Sequence, residues 1–176
     1  KAGEIAQKAK KIYPSTLIAG GLPPQYLTYE ADTRSENEIR DDFYHQAKIL
    51  NPYVDFFYFD VLSSVREFKI AIECIKEFDK PYLIGAHISE GTKLPSNESI
   101  SEIITKIKHD KLLGIILSCI SPENYDLNLK EIKNLNIPFG FKLNGFIKTN
   151  PKPNYTGAYR KSKTGNPNEF LGQRKD

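Results

Sequence analysis

Five points along the sequence carry side chains that could take part in chemistry, and each of them follows an apolar run. They are Gly20-Gly21, Asp60, His87, Cys119 and Asn144. A thiol can bind a metal ion or act as a nucleophile, and a carboxylate and an imidazole can exchange protons with a substrate. If the apolar runs are parallel strands, their C-terminal ends bring these residues to one rim of the sheet, where ligands bind.

Cys119 lies in the segment GIILSCISPENYDLNL, residues 114–129. The apolar run at residues 115–117 predicts a strand, and Ser121 with Pro122 predicts a helix that begins with a hydroxyl N-cap. The thiol is therefore expected on a strand-to-helix turn, where the positive end of the helix favours a thiolate. Two interpretations are open: a functional thiol, or a small apolar residue at the end of a buried strand.

Asp60 and His87 are the candidate acid and base, and each has a structural alternative. Asp60 interrupts the otherwise apolar run DFFYFDVL, where a carboxylate without a partner or a purpose is costly to bury. His87, taken alone, is better explained as a hydrogen-bonded structural histidine than as a base. Cys74 falls inside a predicted helix beside its apolar stripe, so we assign it to the core.

Five predicted strands position these residues, at 16–19, 55–61, 82–88, 114–119 and 139–143. The run at residues 55–62 is apolar at nearly every position, which predicts a strand buried on both faces. Apolar residues at helical spacing fill the intervals between the strands. This alternation is typical of a parallel α/β fold.

Hydroxyl side chains mark the starts of two predicted helices. Ser35 with Glu38 and Ser64 with Glu67 form capping-box patterns. Apolar spacing predicts core-facing residues on the helix after Ser64 and on the helix after Cys119. These residues are Val65, Phe68, Ile72, Ile75 and Phe78 on the first helix, and Leu127, Ile132 and Leu135 on the second.

Composition excludes several classes of protein. A formal charge of +3 over 176 residues gives no case for nucleic-acid binding, and no apolar run approaches the length that spans a bilayer. Two cysteines are too few for a disulfide scaffold, which agrees with a reducing compartment. We therefore expect a cytoplasmic protein that binds neither nucleic acid nor membranes.

The sequence contains no methionine and opens inside a predicted helix, which we interpret as a fragment. Residues 1–176 are expected to form a single, partial barrel domain. Residues 148–168 are rich in proline, glycine, asparagine and lysine without an apolar period, which predicts a long polar loop. Tyr155 and Tyr159 with their basic neighbours could also form a nucleic-acid patch, but a solvated active-site loop is the favoured interpretation.

Four segments share a pattern with one known family. They are LIAGGLPP at residues 17–24, VDFFYFDVLSSVREFKIAI at 54–72, GIILSCISPENYDLNLKEI at 114–132 and PFGFKLNG at 138–145. In this order and spacing they resemble the third, fourth, sixth and seventh strand segments of the homocysteine S-methyltransferase family, which are zinc-dependent barrels. The resemblance covers nearly all of the chain.

The resemblance implies a parallel (β/α) barrel of TIM type, here incomplete, with about five βα units present. It implies a transferase that uses zinc to move a methyl group from an activated donor to the thiol of homocysteine, giving methionine. Cys119 would be the first zinc ligand. Asp60, Gly20, Gly21 and Asn144 would bind substrate, with Asp60 at the position where the family has a glutamate for the homocysteine amino group.

The chain also departs from the family pattern. The first, second and eighth strands, which carry an Asp-Gly-Gly turn and a cysteine pair in the family, are absent, so the fragment is expected to bind zinc weakly and to be inactive alone. Asp60-Val61 replaces Glu-Thr, and Ser118 replaces an asparagine. The alternative function is a non-catalytic barrel descendant that binds a small amino acid or a protein partner. A barrel enzyme that uses Asp60 and His87 as acid and base leaves Cys119 unexplained.

Overall fold

The computed structural model describes residues 1–88, 90–107 and 110–144 of the 176-residue chain. Helices and strands alternate over this part. The helices are α1 Ala2–Ile12, α2 Glu36–Leu50, α3 Val65–Ile75, α4 Ile100–Ile107 and α5 Pro122–Lys133, and the strands are β1 Ala19–Gly21, β2 Phe56–Leu62, β3 Tyr82–His87, β4 Leu112–Ile120 and β5 Phe139–Leu143. The predicted polar loop at residues 148–168 lies outside the described residues, as does Gly145.

The strands form one parallel sheet in the order β1-β2-β3-β4-β5. Each strand lies beside the next one in the chain, as the sequence predicts. An order without a reversal is that of a barrel, because a doubly wound sheet switches direction midway. The described residues are therefore an α/β fold of the incomplete TIM-barrel type.

The helices cover one face of the sheet, and the core lies between them and the strands. Phe59 of β2 is fully buried there, with the ring of Phe43 from α2 at 6.3 Å and that of Tyr82 from β3 at 5.7 Å. Alternate strand positions belong to this core because successive side chains point to opposite faces. The strand residues of the core include Phe57, Phe59, Tyr82, Ile84, Ala86, Ile115 and Leu117.

The positions between these core residues form the opposite face, which we call the inner face. Its residues include Tyr58, Asp60, Gly85, His87, Ile116, Ser118, Gly140 and Lys142. The prediction that β2 is buried on both faces is wrong, since Phe56, Tyr58 and Asp60 are only half-buried and alternate with buried neighbours. The sequence did not show this alternation because the residues of β2 on the inner face include aromatic side chains, which count as apolar.

The helix starts follow the predicted hydroxyl caps. Ser35 and Glu38 form the full capping box, in which each side chain accepts from the backbone of the other. Ser64 Oγ accepts from the Glu67 backbone at 3.1 Å and donates to the Glu67 carboxylate at 2.6 Å. Ser121 caps α5, with the Asn124 backbone donating to its Oγ at 3.2 Å.

Three predicted details are wrong. Strand β1 begins at Ala19 rather than at residue 16, because the backbone N–H of Ile18 donates to the Asp55 carboxylate at 2.7 Å and strand pairing starts one residue later. Strand β4 runs from Leu112 to Ile120 and is longer than the predicted 114–119, so Cys119 lies one residue before its end, shortly before the Ser121 cap of α5. Leu127 is exposed, whereas Ile132 does face the core.

Candidate active site on the inner face

Asp60 and Lys142 form an ion pair on the inner face. Lys142 Nζ lies 2.8 Å from Oδ1 and 2.6 Å from Oδ2 of Asp60, so the ammonium contacts both carboxylate oxygens. The two residues come from β2 and β5, with β3 and β4 between them. The exposed fractions of the two side chains are 25% for Asp60 and 46% for Lys142, so the pair is open to ligands.

Tyr58 and Ser118 share a hydrogen bond across β3. Their oxygens are 2.6 Å apart, and Ser118 is fully buried. The contact passes over Gly85, where an added Cβ would lie 2.8 Å from both oxygens and 2.6 Å from the Phe59 carbonyl oxygen. Glycine at this position therefore lets the phenol reach the serine. Burial raises the pKa of Tyr58, which keeps the phenol protonated at neutral pH.

Cys119 lies at an irregularity near the end of β4. Its φ is 55°, and the register between β4 and β5 shifts between Ser118 and Ile120. Regular alternation after Ser118 would send the next side chain to the helix side, whereas the Cys119 thiol is half-buried and accepts from the Tyr29 hydroxyl at 3.5 Å. Asn144 Nδ2 donates to the Cys119 carbonyl at 2.7 Å, which ties the end of β5 to this turn of backbone.

His87 lies beside the thiol-bearing backbone and is fully buried. Its ring centroid is 4.6 Å from that of Tyr29, and its Nδ1 is 3.4 Å from the carbonyl oxygen of Ser118. Burial lowers the pKa of His87 to about 4, so the imidazole is neutral at neutral pH. It therefore contributes a buried, uncharged polar group here and no positive charge.

The loop between β1 and α2 brings Tyr29 to the site, and a charged cluster holds that loop. Arg34 pairs with Asp32 at 2.7 Å and with Asp42 at 2.8 Å, while Arg66 of α3 donates to the Asp32 carbonyl at 3.0 Å. Burial alone would raise the pKa of Asp32, but its hydrogen bonds to Arg34 outweigh that effect and lower it. The cluster fixes the loop between two helices.

Gly20 and Gly21, which are predicted to bind substrate, differ in the face of the sheet that they border. Gly20 faces the helix side, where an added Cβ would lie 3.1 Å from the Val54 side chain and 3.2 Å from that of Phe57. Gly21 is paired with Tyr58 and an added Cβ there would meet nothing within 4 Å, so it borders open space on the inner face. Both belong to β1 and not to the turn after it.

Cys74 lies on the helix side, away from the site. Its thiol donates to the Arg40 carbonyl at 3.4 Å, between α2 and α3. Burial raises the pKa of Cys74 to about 11, as expected of an inert core thiol. The two cysteines are therefore on opposite faces of the sheet.

Over residues 1–88, 90–107 and 110–144, no cluster of three His, Cys, Asp or Glu side chains could hold a metal ion. A zinc site with an open position for substrate uses three protein ligands. Cys119 supplies one thiol, so the described residues do not form such a site by themselves. In the same part of the chain, no helix is both long and apolar enough to cross a membrane.

Sequence reasoning missed three residues of the site: Tyr29, Tyr58 and Lys142. For Tyr58 and Lys142 a signal was available, because each lies two residues from another inner-face position on its strand. No such signal marks Tyr29, which lies in an irregular loop and has a φ of 74°.

The parallel sheet and its chain-order topology define an incomplete (β/α) barrel, with a polar inner face. A family model, homocysteine S-methyltransferase, matches residues 1–171, and the chain belongs to that family. No curated protein sequence gives a significant match.

Solved structures agree on the fold. The metallated form of the homocysteine methyltransferase MmuM from Escherichia coli matches with a TM-score of 0.71 at 16% identity, covering 80% of this chain and 55% of that chain. The oxidized form gives 0.71 at 17% identity with the same coverage, and the apo form gives 0.60 at 14%, covering 64% of that chain. The chain thus spans little more than half the length of the first two of these structures.

Proposed function

We propose that the protein transfers a methyl group from an activated donor to the thiol of homocysteine, giving methionine. The observation that carries this proposal is the family match over residues 1–171. The placement of a half-buried thiol, a carboxylate and an amide at one end of the sheet supports it. Because the chain covers 55% of the metallated MmuM structure, the proposal is made for the full-length protein.

Zinc is part of the proposal, with Cys119 as one ligand. When bound, zinc favours the thiolate form of a coordinated substrate thiol at neutral pH. The further ligands would have to come from outside the described residues, because Cys74 is on the other face of the sheet. We therefore expect weak zinc binding and no methyl transfer by the 176-residue chain alone.

The remaining residues would orient the substrate and the metal ligand. Asp60 is proposed to bind the homocysteine amino group. The Asn144 amide is proposed to hold the backbone that carries the thiol, because it donates to the Cys119 carbonyl. Gly21 borders open space on the inner face and leaves room for a ligand there. Gly20 faces the helix side, so we propose only that it lets β1 pack closely on Val54 and Phe57.

A second function is favoured by one observation. The Asp60 carboxylate is already paired with Lys142, so the amino group of a substrate would have to compete with the lysine for this carboxylate. A non-catalytic barrel that binds a small amino acid or a protein partner is compatible with this pair and with a single thiol ligand.

The test compares two cysteine variants of the full-length protein. Cys119→Ala should lose bound zinc and homocysteine-dependent demethylation of a donor such as S-methylmethionine, because a metal ligand is gone. Cys74→Ala, the matched control, removes a buried thiol of the same size and should keep both. Zinc is measured by elemental analysis and methionine by chromatography.

Two outcomes would remove the methyltransferase proposal. One is a full-length protein that holds no zinc, and the other is a Cys119→Ala variant with full activity. Either result leaves the binding barrel as the function.

A further inference from the structure

Asp60 and Lys142 place a negative and a positive charge side by side. This arrangement is complementary to the α-ammonium and α-carboxylate groups of an amino acid. Both carboxylate oxygens of Asp60 contact the lysine ammonium, and both side chains remain partly exposed. Neither charge is buried in the core. A ligand ammonium can therefore replace Lys142 as the partner of Asp60, and a ligand carboxylate can replace Asp60 as the partner of Lys142.

We propose that Lys142 is a specificity-determining residue that binds the carboxylate of the substrate while Asp60 binds its ammonium, so that the site selects zwitterionic α-amino acids. The inference rests on the proposed function for the identity of the substrate, and it adds a role for Lys142. Entry of a zwitterion replaces one ion pair by two. A ligand with only one charge must break the pair and leave one protein charge without a partner, which opposes binding.

The surroundings of Lys142 favour this role over a purely structural one. Its ammonium lies 6.0 Å from the centre of the Tyr58 ring, whose hydroxyl is held by Ser118. Ser118 is paired in register with Lys142 and is too small to cover it. The ammonium thus lies over a polar surface whose hydroxyl groups are hydrogen-bonded to each other, and 46% of the lysine side chain remains exposed.

The experiment measures binding of three thiols to the full-length protein by calorimetry. The probes are homocysteine, 4-mercaptobutanoate, which lacks the amino group, and 3-mercaptopropylamine, which lacks the carboxylate. The wild-type protein should bind homocysteine roughly tenfold to a hundredfold more tightly than either analogue, the range expected for losing a charged hydrogen bond.

The variants should reverse these preferences in opposite directions. Lys142→Met should weaken homocysteine binding by about tenfold or more and strengthen binding of 3-mercaptopropylamine, because Asp60 is freed. Asp60→Asn should strengthen binding of 4-mercaptobutanoate, because Lys142 is freed. Lys142→Arg keeps the charge and should keep the wild-type order, and Lys69→Met, on the exposed side of α3, should change nothing.

The outcomes separate this inference from the proposed function. Equal binding of homocysteine and 4-mercaptobutanoate by the wild-type protein, or a Lys142→Met variant that loses all three probes alike, would overturn it even if methyl transfer occurs. The inference would also be overturned if none of the three thiols binds and 2-aminobutanoate, which lacks the thiol, does not bind either. Selective binding of 2-aminobutanoate without any methyl transfer would support the role of Lys142 and would reject the proposed methyltransferase function.

Discussion

The two faces of the sheet are made from alternate residues of the same strands, yet they are stabilised in different ways. On the helix side, Phe57 and Phe59 of β2 are fully buried among apolar neighbours. On the inner face, Tyr58 and Asp60 of the same strand each have a polar partner on β4 or β5. The helix side depends on the volume it fills, whereas the inner face depends on specific pairs.

This difference determines what a substitution does on each side. A truncated apolar side chain leaves a cavity that neighbours refill only partly, so the loss is large whichever residue is removed. A polar pair on a half-open face contributes less, and its loss depends on whether the remaining partner can reach water. Four substitutions test the comparison.

Phe59→Ala should have the largest effect. Phe59 is fully buried between Phe43 and Tyr82, so its removal should lower the free energy of unfolding by about 3 to 5 kcal/mol. Urea denaturation followed by circular dichroism measures this, since the chain has no tryptophan. A loss below about 1 kcal/mol would show that the helix side is not the stabilising one.

His87 should make stability depend on pH. Its folded pKa, about 4, is below the unfolded value of 6.5, so the unfolded state binds more protons between these values and stability falls as pH falls. Acidification from about pH 7 to about pH 5 should cost about 2 kcal/mol. His87→Asn should lose this contribution and show a correspondingly smaller dependence of stability on pH over this interval, and an equal slope in both proteins would contradict the assignment.

Tyr58→Phe should cost about 1 to 2 kcal/mol, because it leaves the buried Ser118 hydroxyl without its phenol partner. The double variant Tyr58→Phe with Ser118→Ala should recover part of this loss, since no polar group is then stranded. Thermal and urea unfolding of the two single variants and the double variant measure the coupling. Strict additivity would mean that the hydrogen bond contributes nothing.

Lys142→Met should have the smallest effect on stability, less than about 1 kcal/mol, because its pair with Asp60 is partly exposed. The same variant is expected to change ligand preference strongly. Stability and binding are measured on one preparation. A large loss of stability with unchanged binding would place the pair among the structural contacts.

Much of the fold could be predicted from the sequence because local signals agree with the tertiary arrangement. Ser35, Ser64 and Ser121 cap helices where their hydroxyls indicate, and the apolar runs between them are strands in chain order. Leu127 was placed wrongly because helical spacing alone does not show which side of α5 meets the sheet.

The site was less predictable, since its geometry depends on contacts between distant residues. Asp60, His87, Cys119 and Asn144 do lie toward one end of the sheet, which follows from the strand order. The Lys142 pair with Asp60 joins residues 82 positions apart, and the contact of Tyr29 with Cys119 depends on a loop held by Arg34. Local pattern carries no information about such pairs.

The left-handed backbone at Cys119 has a consequence for attempts to improve this protein. Glycine adopts a φ of 55° without steric strain, but it also loses more backbone entropy on folding than cysteine does. These two effects are each about 1 kcal/mol and oppose one another, so Cys119→Gly should change the free energy of unfolding little. The same change removes the thiol that Tyr29 contacts. Selection for thermal tolerance alone therefore does not preserve the proposed metal ligand, and a library at residue 119 should be screened for bound zinc as well as for heat resistance.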